Sequence, residues 1–239
     1  VTSPAAPLTG LRALVTGASR GIGLAVAEAL RAAGAHTIRI ARSLQDGTGD
    51  RDTTRHADLS HAGDVERVVE RILADPGVPD IVVNNAGVFY VKHLVDTTPA
   101  MFAETLAVNL VAPFLVVHAL LPHLLERDRG HLVTLGSVSD HAAFPGNAAY
   151  AASKFGVRGL HEVLRKEIAG SGVRATLISP GPVDTGAWDP INPDRLPGFT
   201  KRADMMRPED VAEAVLFAVT RPPRVDVTEL RLIPGGGKR

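Results

Sequence analysis

Short runs of β-branched and aliphatic residues alternate along the chain with longer stretches whose apolar positions recur at helical spacing. Arg12-Ala13-Leu14-Val15-Thr16 reads as a strand, and Ile22 to Ala33 as a helix stopped by Gly34. Six further strands are expected: Thr37 to Ala41, a short piece at Arg55 to Ala57, Asp80 to Val83, Gly130 to Gly136, Gly172 to Ser179 and Glu229 to Ile233. Helices are expected at Gly63 to Ala74, Ala100 to Arg127, Tyr150 to Gly170 and, with proline at its start, Pro208 to Thr220. This alternation predicts an α/β fold with a doubly wound parallel sheet of about seven strands and helices on both faces. No repeat or linker divides the 239 residues, so a single domain is expected, with residues 1–9 a flexible extension. The irregular, proline-rich stretch at about 182–207 has the length of a substrate lid.

Composition narrows the function. A formal net charge of zero offers no basic field for nucleic acid and no acidic tail for a basic partner. The absence of cysteine excludes disulfides, thiolate metal sites and a cysteine nucleophile, and it fits a cytoplasmic location. Val1 to Gly10 lacks the pattern of a signal peptide. Leu106 to Leu125 is the most apolar run, but Asn109, Pro113, His118, Pro122 and His123 interrupt it, so a buried helix is expected and no membrane span. His118, His123, His131 and His141 form no metal-ligand spacing.

Chemistry concentrates in two places. Tyr150 and Lys154 are four residues apart, so on a helix they share a face and set an ammonium beside a phenol. Bringing a phenol from about 10 to about 7 takes roughly 4 kcal/mol. One cation at about 4 Å supplies that much at an effective dielectric near 20. Lys154 is therefore expected to acidify Tyr150. The second place is Thr16-Gly17-Ala18-Ser19-Arg20-Gly21-Ile22-Gly23, joining the first strand to the first helix. Glycines there admit a pyrophosphate to free N–H groups at a helix N-terminus.

These motifs, with Asn84-Asn85-Ala86-Gly87, Asn109 and Ser137 thirteen residues before Tyr150, resemble the short-chain dehydrogenases/reductases in their single-domain, Rossmann-type form. The likeness runs from about residue 10 to residue 236. It implies hydride transfer between a nicotinamide cofactor and a carbonyl or secondary alcohol, with Asn109, Ser137, Tyr150 and Lys154 as the catalytic set. Tyr150 would donate its proton to the carbonyl oxygen, which Ser137 would hydrogen-bond. Gly17, Ser19, Arg20, Gly21, Ile22 and Gly23 would hold the pyrophosphate end of the cofactor. Asp58 and Leu59 resemble the pair bordering the adenine, and Asn85, Ala86 and Gly87 the turn facing the ribose, which Lys154 also holds. Pro180, Gly181, Val183 and Thr185 resemble the segment beside the carboxamide. Asn84 is expected to tie the sheet together through its side chain. Pro113 has no N–H for the Asn109 carbonyl, which is therefore expected to hold a water linking Lys154 to solvent.

The second strand ends at Ala41 with Arg42 and Ser43 after it, and Arg20 lies in the glycine loop. Two arginines and no acid favour a 2′-phosphate, hence NADP(H). Ser139, His141, Phe144 and Trp188 are expected to line the substrate pocket. An apolar lid would suit a hydrophobic ketone, whereas Arg195, Lys201 and Arg202 could meet a carboxylate or phosphate. An alternative is a 3-oxoacyl-carrier-protein reductase, with Arg127, Arg129 and Arg174 docking the acidic carrier. From another class comes a cofactor-sensing protein without turnover. The helix at 100–127 is apolar nearly all round, and the resemblance points to a homotetramer, or a homodimer, sharing it.

Overall fold

A computed structural model describes residues 6–235. Eight strands form one sheet in the order β3-β4-β2-β1-β5-β6-β7-β8. They span Arg12–Thr16 (β1), His36–Ile40 (β2), Gly47–Gly49 (β3), Asp52–Arg55 (β4), Ile81–Asn84 (β5), Gly130–Leu135 (β6), Val173–Pro180 (β7) and Glu229–Leu232 (β8). Seven run parallel, and the short edge strand β3 pairs antiparallel with β4. The hairpin at Gly47 to Arg55 is not expected from the hydrophobic pattern, because its outer strand is wholly exposed and has no apolar alternation.

Each β1 residue chooses a face. Ala13 and Val15 join a core with Val83, Val133 and the helices α1 (Gly21–Ala32) and α6 (Pro208–Val219). Leu14 joins a second core with Val82, Leu132 and the helices α2 (Ala62–Ala74), α4 (Ala112–Glu126) and α5 (Ala148–Glu167). Strands buried on both faces are what a parallel sheet clothed by helices requires. Strand order reverses at β1, whose neighbours are β2 and β5, so a crevice opens above the carboxyl ends of β1 and β5. The glycine turn and the Asn84–Gly87 turn both emerge there.

Two expectations change. Residues 1–5 lie outside the described part, but Leu8 is 2% exposed and its N–H donates to the Ala33 carbonyl, so that part of the extension is docked. The helix expected over 100–127 is three pieces: α3 (Pro99–Leu106), a π-helical turn (Ala107–Val111) and α4. In the π turn the Ala112 N–H donates to the carbonyl of Ala107, five residues back, one position before the N–H that Pro113 lacks. By length and composition this run could cross a bilayer. Instead Ala112, Val116, Leu120 and Leu124 are buried in the second core.

Candidate active site

The glycine turn is built for close approach. Gly17 and Gly21 have φ of +67° and +56°, a region that disfavours side chains. A Cβ at Gly17 would stand 2.8 Å from the Ala86 Cα, and one at Gly23 would collide with the Gly17 carbonyl and the Asn85 amide. Asn85 holds the two turns together: its Nδ2 donates to the carbonyls of Thr16 and Gly17 at 2.9 and 3.3 Å. Thr16 Oγ1 accepts the N–H groups of Asn85 and Ala86, both at 3.0 Å. Asn84, expected to be the tie, is buried with no protein hydrogen bond from either side-chain atom. Successive strand residues face opposite ways, so the bracing role falls one position later. Across the crevice, Thr185 packs toward Gly21, where a Cβ would be 3.4 Å from Thr185 Cγ2. Gly181 and Val183 are fixed beneath it, the first by its N–H to the Leu232 carbonyl and the second by a bridge to Met206.

At the end of the crevice expected to take the adenosine, Arg20, Arg42 and Ser43 are exposed. Neither arginine side chain makes a hydrogen bond or ion pair with the described residues. Arg42 is near enough to Asp58 for its charge to help lower that carboxyl, whose main partner is the backbone N–H of Ser60. Asp58 Oδ1 accepts that N–H at 3.0 Å and the Ser60 hydroxyl at 2.8 Å, so it shapes the turn as well as bordering the crevice. Leu59 is buried behind it.

The catalytic end is enclosed. Ser137 follows β6, where its Oγ accepts the N–H of Ser139 at 3.1 Å and lies close enough to the Tyr150 phenol to pull its pKa down. Tyr150 and Lys154 lie one turn apart on α5, with the Lys154 ammonium 5.5 Å from the Tyr150 ring centre. That ammonium is buried and donates to the Leu135 carbonyl at 2.7 Å. Asn109 is 1% exposed. Its Oδ1 accepts the Val88 N–H at 2.8 Å, and its Nδ2 donates to the Val88 carbonyl and to Ser153 Oγ, each at 3.0 Å. Asn109 thus fastens the segment after β5 to the helix that carries Tyr150.

The electrostatics correct the simple pairing. Tyr150 keeps partial exposure as a residue, but its hydroxyl lies deep, and burial pushes the phenol up to about 12, outweighing the lowering by Ser137. The charge of Asp140 pushes in the same upward direction. Burial brings Lys154 down to about 8, against the opposing pull of Asp140.

The pocket residues separate. Trp188 donates its Nε1–H to the Val183 carbonyl at 3.0 Å and meets Phe89 edge to face at 5.0 Å. Phe89 in turn meets Tyr150 at 4.9 Å, and Phe199 meets Trp188 at 6.2 Å. Phe144 is 51% exposed. Ser139 is buried with its hydroxyl taken by Asn147, so it braces the loop. His141 turns to Glu229 at 3.0 Å and to Asp140 at 3.3 Å. Phe89 and Asp140 fall in the loops at 88–95 and 139–147 that the sequence offers as pocket walls, without a residue-level signal for their roles. Phe89 sits inside the loop after Gly87, and Asp140 completes an S-x-x-D capping pattern with Ser137 that could have been noticed.

A family model for short chain dehydrogenases matches residues 12–196. The chain belongs to the short-chain dehydrogenase family. An oxidoreductase of Staphylococcus saprophyticus is 32% identical over 232 residues, covering 93% of this chain and 96% of that protein. A metagenomic short-chain oxidoreductase solved with NADP superposes with a TM-score of 0.80 at 30% identity, over 95% of this chain and 98% of that one. The closed form of serine dehydrogenase complexed with NADP+ gives 0.82 at 27% identity, over 92% and 94%. This short-chain dehydrogenase is therefore an oxidoreductase with the family's parallel sheet and glycine turn.

Proposed function

We propose that the protein reduces an apolar ketone to a secondary alcohol with NADPH, Tyr150 giving the proton and Ser137 holding the carbonyl oxygen. The observation that carries this reading is the buried Lys154 ammonium 5.5 Å from the Tyr150 ring, with Ser137 near the phenol, beside a glycine turn too tight for side chains. That turn, with Asn85-braced Ala86 and Gly87 and with Thr185, would hold the cofactor. When bound, the dihydronicotinamide supplies the hydride. A phenol held protonated at neutral pH suits donation to a carbonyl. Asn109 supports the reaction by fixing the loop that carries Phe89, and its carbonyl, at the π turn before Pro113, remains the candidate holder of a relay water to Lys154.

Unengaged guanidinium groups at Arg20 and Arg42, with Ala41 where an acid would repel phosphate, favour NADPH over NADH. The NADP found in two similar structures agrees. The lid favours an apolar substrate. Phe89, Trp188 and Phe199 extend from Tyr150, while the lid cation Arg202 is taken by Asp184 and Asp189 at 2.6 and 2.5 Å and Lys201 donates to the Asp194 carbonyl. Of Arg195, Lys201 and Arg202 only Arg195 is exposed and unengaged among the described residues, and a carboxylate set against those rings out of its reach would cost several kcal/mol. Carrier docking has weaker support. Arg127, Arg129 and Arg174 stand at the start of β6 and β7, the opposite end of the sheet from Tyr150, and bond to Pro79, Asp80 and the Arg221 carbonyl. Exposed Val111, Phe114, Phe155 and Val163 on the π turn, α4 and α5 favour a homotetramer or homodimer, which sedimentation would test.

The decisive experiment is turnover of aryl ketones, keto acids and oxoacyl thioesters with NADPH and with NADH. The highest kcat/KM is expected for an aryl ketone with NADPH. Preference for a keto acid overturns the substrate class, preference for NADH overturns the cofactor, and NADPH binding without any turnover makes the protein a sensor.

A further inference from the structure

Asp140 ends the short 3-10 turn after β6 (Val138–Asp140), three residues beyond Ser137, and its side chain is fully enclosed. Oδ2 accepts the Ser137 backbone N–H at 3.1 Å and the Ser179 hydroxyl at 2.6 Å. Oδ1 accepts Arg158 Nε and Nη2 at 3.3 and 3.4 Å and lies 3.3 Å from His141 Nε2. The chain makes room for this carboxylate: a Cβ at Gly136 would collide with Oδ2 and stand 2.8 Å from Ser179 Oγ. Arg158 is four residues beyond Lys154 and eight beyond Tyr150, so α5 presents the three on one face.

A buried carboxylate persists only when paired and hydrogen-bonded. Here the pairing is shared. Arg158 Nη2 also meets Glu229 Oε1 on β8 at 2.6 Å, and His141 meets the same oxygen at 3.0 Å. The guanidinium is divided among three carboxylates, Glu162 lying 3.6 Å from its Nη1, so the charge of Asp140 is not cancelled locally. It reaches Tyr150 and Lys154, on both of which it favours the protonated form. The groups facing it are thus Ser137 and His141 in its own loop, Ser179 on β7, Tyr150, Lys154 and Arg158 on α5, and Glu229 behind Arg158.

We infer that Asp140 is a positioning residue: its enclosed carboxylate fixes the Ser137 turn and sets an incompletely neutralised negative charge beside the helix face that carries Tyr150 and Lys154, so that the site favours proton donation to carbonyls. This rests on Tyr150 being the proton donor.

The test is the pH dependence of kcat for NADPH-driven reduction of an accepted ketone, and of the reverse oxidation, in wild type, Asp140→Asn and Glu229→Gln. Asn keeps the shape and, with its oxygen in the place of Oδ2, the bonds from Ser137 and Ser179, but removes the charge and the bonds from Arg158. The alkaline limb of reduction should move to lower pH by about one unit, and oxidation should gain at neutral pH, with KM for the ketone within about twofold. Glu229→Gln, at a side chain 37% exposed, leaves Arg158 to Asp140 and should move the limb the same way by less. Profiles of both variants that superpose on wild type, or an Asp140→Asn effect confined to KM or Tm, would overturn the inference. If Asp140→Asn does not fold, the Glu229→Gln profile decides. A Tyr150→Phe variant separates the two ideas: unmoved limbs with Tyr150→Phe inactive refute only the role of Asp140, whereas an active Tyr150→Phe refutes the donor itself.

Discussion

The two ends of the crevice handle charge in opposite ways. At the adenosine end, Arg20 and Arg42 stand in solvent with no protein partner among the described residues. At the catalytic end, Lys154 is buried on the Leu135 carbonyl, and Asp140 is enclosed by Ser137, Ser179 and Arg158. Unpaired surface charges contribute little to stability and are free to meet a ligand. Enclosed charges are bound up with packing, so changing them disturbs chemistry and fold together. Surface charge and enclosed charge are thus separable in this chain by where each sits.

The contrast can be tested by substitution. Gly136→Ala should have the largest effect, since its methyl group meets Asp140, Ser179 and, at 3.1 Å, Leu177 Cδ1. A loss of about 3 kcal/mol in urea unfolding is expected together with loss of activity; a stable, active variant would mean the turn is looser than described. Arg42→Asp should lower the NADPH/NADH ratio of kcat/KM by roughly 10–100-fold, as a charge-assisted contact is replaced by repulsion. Its Tm should stay within about 2 °C, and a large drop would show the arginine to be structural after all. Asn109→Ala should cost about 1–2 kcal/mol, leaving the Val88 N–H unpaired, and should reduce kcat more than it raises KM. The smallest effect concerns acid. Burial holds His131 at about 3 and His161 at about 4, well below the usual imidazole value. Below about pH 6.5 the unfolded chain takes up protons that the folded one refuses, so stability should fall as pH drops through that point and level off only near the folded values. His161→Gln should flatten the slope of Tm between about pH 6 and 4; an unchanged slope would place the acid sensitivity elsewhere.

Much of the site was legible because it is periodic or local. Tyr150 and Lys154 share a helix face by spacing alone, and the glycine turn follows the first strand. What was not legible depends on partners distant in the chain. Asp140 draws its meaning from Arg158, Ser179 and Glu229, which lie 18, 39 and 89 residues away. Asn84 and Asn85 are adjacent, and only the orientation of β5 decides which one reaches the glycine turn. The cation four residues from Tyr150 is visible in the sequence, whereas the burial that pushes the phenol up depends on packing from distant elements. His141, expected to line the pocket, meets Glu229 on the far strand, a partner 88 residues away.

The central claim is that Tyr150 delivers the proton while the adenosine end only selects and holds the cofactor. Trp188, the single tryptophan, allows NADPH binding to be followed by its emission in the same samples used for single-turnover ketone reduction. Tyr150→Phe should bind NADPH as wild type does and reduce the ketone about 100-fold or more slowly. A rate within about threefold of wild type, with binding intact, would contradict the account.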